Sequence, residues 1–265
     1  MRVVTVLFFS VLFTISPAFA KEKPKVPYSD TIGWKLCQNK EKFDCVIVKE
    51  TGAKKKIAET WEDLFPNTAT RELIQKLNRL NIVLKKGMFI AVPKNHDGKK
   101  LMDFSPFPDW IIAPEEKILI FDPAILAWAA YSPQGKLLRW GPAIGGMDRC
   151  LDTWRRCRTI VGDDLGVTMK GNEKTRSHTY PIGCPKKEPC APTPWFVGFY
   201  RRLPPHILKK YGRLYGFHAS EKMVGKHASH GCVRLFLDDA KWINQNFAEK
   251  GTKVIIKKYP YPNRS

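Results

Sequence analysis

Between Gly216 and Leu235 the chain reads GFHASEKMVGKHASHGCVRL, which gathers three of its six histidines, His218, His227 and His230, with Cys232. A thiol is partly ionised near neutral pH even when unperturbed, and its thiolate attacks amide carbonyls well. A neighbouring imidazole raises that fraction and can return the proton to a leaving amine. These residue types therefore point to nucleophilic acyl transfer, with Cys232 as nucleophile and His218 as base. His227 and His230 stand in a turn-like run, where a histidine more often donates to a nearby carbonyl than takes part in chemistry. The same four side chains can bind zinc, so a metal-dependent hydrolase or a structural zinc loop is a competing reading, although their spacing fits no metal motif.

Cys232 is one of seven cysteines, and the other six fall into close couples: Cys37 with Cys45, Cys150 with Cys157, and Cys184 with Cys190. In an oxidising compartment six can pair and one is left over, which singles out Cys232. Pairing within couples is the simplest connectivity, and a crossover between the 150/157 and 184/190 couples is its main rival. The N-terminus points to the same compartment. Arg2 precedes an apolar run, Val3 to Phe13, that is too short to span a bilayer, and Ala18-Phe19-Ala20 supplies an A-x-A site. Residues 1–20 are expected to be a secretory signal, which would put the mature chain in a Gram-negative periplasm or outside the cell, without a membrane span.

Order sharpens the chemical reading. After His218 come ten residues, then Ser229-His230-Gly231-Cys232-Val233-Arg234-Leu235, then Asp239-Ala240 and Gly251-Thr252-Lys253-Val254. This arrangement resembles the L,D-transpeptidase catalytic domain (YkuD-like), and GPAIGG (Gly141 to Gly146) with Thr159 to Gly162 is similar to the strand and turn leading into that family's cleft. The Cys150/Cys157 couple and the run ending in Cys232 resemble its enhanced-entry (EnhA-like) subgroup. The resemblance implies a β-sandwich-type catalytic fold with Cys232 as thiol nucleophile and His218 as general base, its ring oriented by a backbone carbonyl. It also implies an oxyanion hole from the Gly231 and Cys232 amides, with Ser229 and His230 beside it. Arg234 would fix the loop or hold a substrate carboxylate in its planar fork. The substrates implied are peptidoglycan stem peptides, with wall-anchored proteins as further acceptors, no cofactor, a role in wall biogenesis and cell shape, and inhibition by carbapenems. Ala219 follows His218 where glycine is usual, and the gap to Ser229 is short for the family. Both departures bear on the substrate loop more than on the reacting pair.

The elements that must position these residues fall into two groups. Lys117 to Phe121, Leu126 to Tyr131, Leu137 to Trp140 and Val254 to Ile256 are expected strands, and Ser132-Pro133-Gln134-Gly135 is an expected turn. Asp238 can cap a helix carrying Ala240, Ile243 and Phe247, which Gly251 would stop. The proline-rich stretch from 170 to 210 reads as an irregular insertion over the site. Upstream, Cys45 to Val48 and Met88 to Val92 are expected strands, with Ile57, Ala58, Trp61, Leu64 and then Leu73, Ile74, Leu77 at helical spacing between them. That β-α-α-β order resembles a LysM-type glycan-binding module. The expected organisation is therefore mainly β with α plus a small α+β N-terminal domain: signal 1–20, LysM-like unit 21–93, linker 94–116, catalytic domain 117–258 and tail 259–265.

The formal net charge of +20 calls for an acidic partner or a merely solubilising surface. An exported chain rarely meets nucleic acid, so wall stem peptides and anionic lipids or glycans are the better candidates. Two other functions stay in view: an L,D-carboxypeptidase, in which water resolves the acyl enzyme, and a non-catalytic wall-binding or adhesion protein.

Overall fold

A computed structural model describes residues 26–52, 56–150, 157–177, 190–201 and 215–261. The expected signal, Cys184 and much of the proline-rich insertion lie outside the described residues.

The N-terminal part runs α1 (Ile32–Cys37), β1 (Phe43–Ile47), the short pair β2 (Glu50–Thr51) and β3 (Ile57–Ala58), α2 (Trp61–Leu64), α3 (Thr68–Asn78) and β4 (Phe89–Pro93). β1 and β4 pair antiparallel with the two helices between them in sequence, and the Cys37–Cys45 disulfide ties α1 to β1. Ile57 and Ala58 were expected in a helix but belong to β3, opposite Thr51 and Glu50. The reason is the next residue but one: Thr60 forms a capping box with Asp63, which fixes the helix start at Trp61. Asn67 caps α3 by accepting Thr70 N–H, and Arg79 ends it in a left-handed conformation.

β5 (Ile118–Asp122), β6 (Ala127–Tyr131), β7 (Leu137–Ile144), β8 (Gly162–Lys170), β9 (Val197–Arg201), β10 (Tyr215–Ala219), β11 (Val233–Leu235) and β12 (Lys253–Ile256) form one sheet. Its order is β10-β11-β7-β6-β5-β12-β8-β9, and β9 pairs with β10, so the expected sandwich is a closed barrel without free edges. The β10–β11 and β12–β5 pairs are parallel.

Alternation along the strands sorts side chains into two cores. Leu119 and Phe121, Trp128 and Ala130, Val233 and Leu235, and Val254 and Ile256 fill the barrel. Their neighbours Ile118, Ile120, Ala127, Ala129 and Tyr131 face outward, where Leu73 and Leu77 of α3 and Phe107 of the connector cover them. β5 and β6 are thus buried on both faces, and the N-terminal part shares a core with the barrel. The connector itself carries one regular turn, a 3-10 helix at Leu101–Phe104.

After β11 comes α4 (Leu237–Trp242), continued by a π-turn at Ile243–Phe247. Ala240, Ile243 and Phe247 enter the barrel core as their spacing implies. The N-cap is Phe236 without a side-chain bond, and Asp238 and Asp239 occupy the first turn. Asp238 is drawn off the cap by ion pairs to Lys76 of α3 (2.7 Å) and Arg139 of β7 (2.8 Å). The helix ends in the π-turn before Gly251, which turns the chain with φ +91° into β12.

Candidate active site

The parallel register of β10 and β11 sets Phe217 against Val233 and His218 against Arg234. Phe217, Ala219, Val233 and Leu235 all point into the barrel, so His218 and Arg234 share the opposite face. Cys232 stands in the bend immediately before β11, two positions ahead of Arg234. It is half-buried and outside any disulfide. Two paired strands therefore draw towards each other residues that thirteen others separate in sequence.

His218 is buried, and its Nδ1 lies 2.7 Å from Ala219 O. A carbonyl oxygen only accepts, so Nδ1 carries the proton and Nε2 the lone pair. This is the orienting carbonyl that the sequence resemblance implied. Burial pulls the His218 pKa down to about 4, the Ala219 bond opposes that, and the Arg234 charge adds to it. At neutral pH the ring is uncharged with Nε2 in its basic form.

Ser229 is buried and works inside the turn. Its Oγ donates to Cys232 O and accepts Gly231 N–H (3.1 Å). The Gly231 amide, expected to serve an oxyanion hole, is thus bonded to Ser229 Oγ within the turn. Gly231 stands at φ +124°, and a Cβ there would come 2.9 Å from Tyr215 Cε1. Only glycine enters this turn without strain. His230 and Arg234 both lie half-buried beside it.

His227 has a structural task. Its Nδ1 accepts Gly145 N–H (3.0 Å), so the proton is on Nε2, which donates to Pro123 O (3.0 Å). Burial holds its pKa down at about 4. Among the described residues no group of three or more His, Cys, Asp or Glu side chains is arranged to hold a metal ion.

The floor below the turn is made by GPAIGG. Met147 N–H donates to Ser229 O (2.9 Å), Ser229 N–H to Gly145 O (3.2 Å), and Gly146 N–H to Thr159 Oγ1 (3.2 Å). A Cβ at Gly145 would come 2.7 Å from both Phe121 and the Tyr259 hydroxyl. Tyr259 in turn accepts Thr159 N–H (3.1 Å) and donates to Thr159 Oγ1 (3.1 Å). Sequence reasoning placed Tyr259 in a tail, since nothing in the Lys257-Lys258-Tyr259-Pro260 run marks it as buried. Cys150 and Cys157 are bonded to each other, with Cα atoms 5.4 Å apart, so the crossover involving them does not occur. Cys190 is also disulfide-bonded.

Residues 126–256 match the family model of the L,D-transpeptidase catalytic domain, YkuD. That match takes in just under half of the chain and includes both His218 and Cys232. A Bacillus subtilis protein, YciB, named for an inferred L,D-transpeptidase activity, is 54% identical over 33 residues, 12% of this chain and 16% of that one. The chain thus matches about a sixth of that relative's length. Among solved structures, an L,D-transpeptidase (residues 123–326) from Xylanimonas cellulosilytica is 20% identical, covering 69% of this chain and 76% of its own, with a TM-score of 0.45. L,D-transpeptidase 3 from Mycobacterium tuberculosis is 17% identical over 54% of this chain and 60% of its own, with a TM-score of 0.39.

Proposed function

We propose that this protein is an exported peptidoglycan L,D-transpeptidase that works through a thioacyl intermediate on Cys232. One observation carries the reading: His218 Nδ1 is committed to Ala219 O, which leaves Nε2 as the basic nitrogen on the strand that pairs with β11, directly after Cys232. Cys232 sulfur attacks the carbonyl after the third residue of a tetrapeptide stem as His218 takes the thiol proton. Collapse of the tetrahedral intermediate expels the terminal D-alanine, whose amine receives that proton. An amine on a neighbouring stem then attacks the thioester, giving up its proton to His218; the carbon–sulfur bond breaks, His218 returns the proton to the Cys232 thiolate, and a 3→3 cross-link is left. The Cys232 amide stabilises the oxyanion, a contribution of about 3–4 kcal/mol where such donors have been removed. Arg234 on the same face suits a stem carboxylate.

The cysteine couples and the apolar N-terminus support export to the periplasm or beyond with cleavage after Ala20. The bonded Cys150–Cys157 loop is the feature that favours the enhanced-entry subgroup. The β-α-α-β order of the N-terminal part supports a LysM-like, wall-binding unit there.

Mass spectrometry of tetrapeptide muropeptides incubated with the mature protein and with Cys232→Ala tests this reading. Loss of D-alanine with a cross-linked dimer, absent in the variant, is the expected result. Trimmed monomer alone would make the enzyme a carboxypeptidase, a protein acceptor would show as a protein–stem conjugate, and no change in either sample would overturn the assignment.

A further inference from the structure

The loop between the base and the nucleophile is held from the N-terminal side. Asn81 grips Met223 twice: its N–H donates to Met223 O (3.0 Å) and its Oδ1 accepts Met223 N–H (2.8 Å). Gly225 N–H donates to Arg79 O (2.7 Å), and Gly225 O accepts Ile32 N–H (2.7 Å). Between these bonds Leu80 and Val224 form an antiparallel bridge, so residues 223–225 act as a short strand laid on the end of α3. Lys226 closes the run with an ion pair to Asp30 (2.8 Å). The side chain of Met223 is fully buried against Ile32, Leu126 and Ile144, which joins α1, the barrel and the loop in one cluster.

Arg79 anchors the grip to the barrel. Its buried guanidinium donates to Leu126 O (3.1 Å) and Ile125 O (3.2 Å) in the turn between β5 and β6 and to Leu77 O, and it lies over the Trp140 ring. Its own carbonyl, exposed by the left-handed end of α3, is the one that Gly225 uses. Gly225 adopts φ +71°, and a Cβ there would face Asn78 O at 3.3 Å. Neither end of the gripped segment is inert: Ala219 supplies the carbonyl that fixes the His218 ring, and Ser229 supplies the hydroxyl that fixes the Cys232 turn.

Resting on the acyl-transfer reading above, we propose that the N-terminal unit is a working part of the active site. Asn81 and Arg79 are positioning residues that hold 223–225 and thereby set the reactivity of the Cys232–His218 pair. Residues 223–225, midway along the loop linking the reacting groups, pair with the end of α3, while nearer the nucleophile the loop pairs through Ser229 with Gly146 of the barrel, so the N-terminal unit shares in holding it. A segment that fixes reacting groups can govern rate without touching substrate.

The test uses the whole mature chain as wild type, Asn81→Ala and Asn81→Asp. Three quantities are followed: hydrogen exchange across 220–231, the pH dependence of Cys232 alkylation by iodoacetamide, and kcat and KM on tetrapeptide. Losing the Oδ1 acceptor leaves Met223 N–H buried without a partner, so Asn81→Ala should speed exchange in the loop and lower kcat about tenfold with KM nearly unchanged. It should also shift the alkylation profile, and Asn81→Asp, which keeps the acceptor, should restore most of both. Alkylation needs no substrate, so wild-type alkylation with a clear pH profile but no muropeptide turnover would sink the substrate reading and leave this proposal readable. Faster loop exchange with an unchanged alkylation profile would overturn it. Should Asn81→Ala fail to fold, Gly225→Ala stresses the same grip from the loop side and is judged by the same outcomes.

Discussion

His218 and Arg234 are register partners on adjacent parallel strands, which stands a permanent cation beside the candidate base. Burial is the larger cause of the low His218 pKa, and the Arg234 charge pushes in the same direction. Both favour the neutral ring, so activity should persist well below the ordinary histidine range and fall off on an acid limb near pH 4. Replacing Arg234 with Gln removes one of the two depressing causes. The acid limb of kcat/KM should then move to higher pH, because the ring will hold its proton more readily. A limb that stays in place in Arg234→Gln would show that the guanidinium is directed elsewhere.

Ser229 ties the nucleophile's turn from inside, through Cys232 O and Gly231 N–H. Ser229→Ala leaves both groups without that partner, at a cost of about 1–3 kcal/mol, and lets the turn drift. Since Ser229 points into the turn, substrate binding should be little affected. The expected outcome in steady-state kinetics is a kcat lowered by about 10- to 100-fold with KM close to wild type. A variant whose KM rises while kcat holds would place the hydroxyl on substrate instead.

Acid should destabilise the fold through its buried rings. His218 and His227 are neutral in the native state and take protons only near pH 4, while an unfolded histidine does so near 6.5. The unfolded chain thus binds more protons between those values: stability is unaffected above pH 6.5, falls as the pH falls through the window, and levels off below it. Each ring can account for about 3 kcal/mol at order of magnitude. Asp239 runs the other way. Burial first, then the Asp238 charge, raise its pKa to about 6 against Lys76 and Arg139, so the native state takes this proton before the unfolded chain does and regains stability as the pH falls toward 3.8. Asp239→Asn removes that gain, and thermal denaturation followed against pH should show a steeper acid loss in the variant than in wild type. Parallel curves would mean that Asp239 is ionised throughout.

Much of the site was legible because its chemistry is local in sequence. His218, Ser229, Gly231 and Cys232 lie within one run, and the odd cysteine count singles out Cys232 as the candidate nucleophile. The strands β5, β6 and β12 were legible from their apolar residues, and the barrel-facing positions of α4 from their spacing. Closure of the barrel was not: β8 opens with the polar Gly162-Asp163-Asp164, whose Asp164 pairs with Arg201 across the sheet, and β9 lies within the proline-rich stretch that was expected to be irregular. The grip on 223–225 was invisible for a different reason. Three of its four hydrogen bonds are made by backbone groups of Ile32, Arg79 and Asn81 and the fourth by the Asn81 side chain, and no side-chain pattern announces a main-chain partner distant in sequence.

Tyr259 is the residue where sequence and structure differ most usefully. It stands just past the last strand, yet it is buried, its ring lies 4.8 Å from that of His227, and its hydroxyl both accepts from and donates to Thr159. Thr159 Oγ1 in turn receives Gly146 N–H, and Gly146 bridges to Ser229. Removing the hydroxyl in Tyr259→Phe leaves a buried Thr159 N–H unsatisfied, which should lower stability by about 1–3 kcal/mol. Because the same chain of contacts ends at the Cys232 turn, kcat should fall alongside Tm. Deletion of residues 259–265 should be worse than Tyr259→Phe, since it also opens the cavity that the ring fills. Chemical denaturation and turnover measured on the two variants together check this, and a deletion as stable and active as wild type would return Tyr259 to the status of a tail.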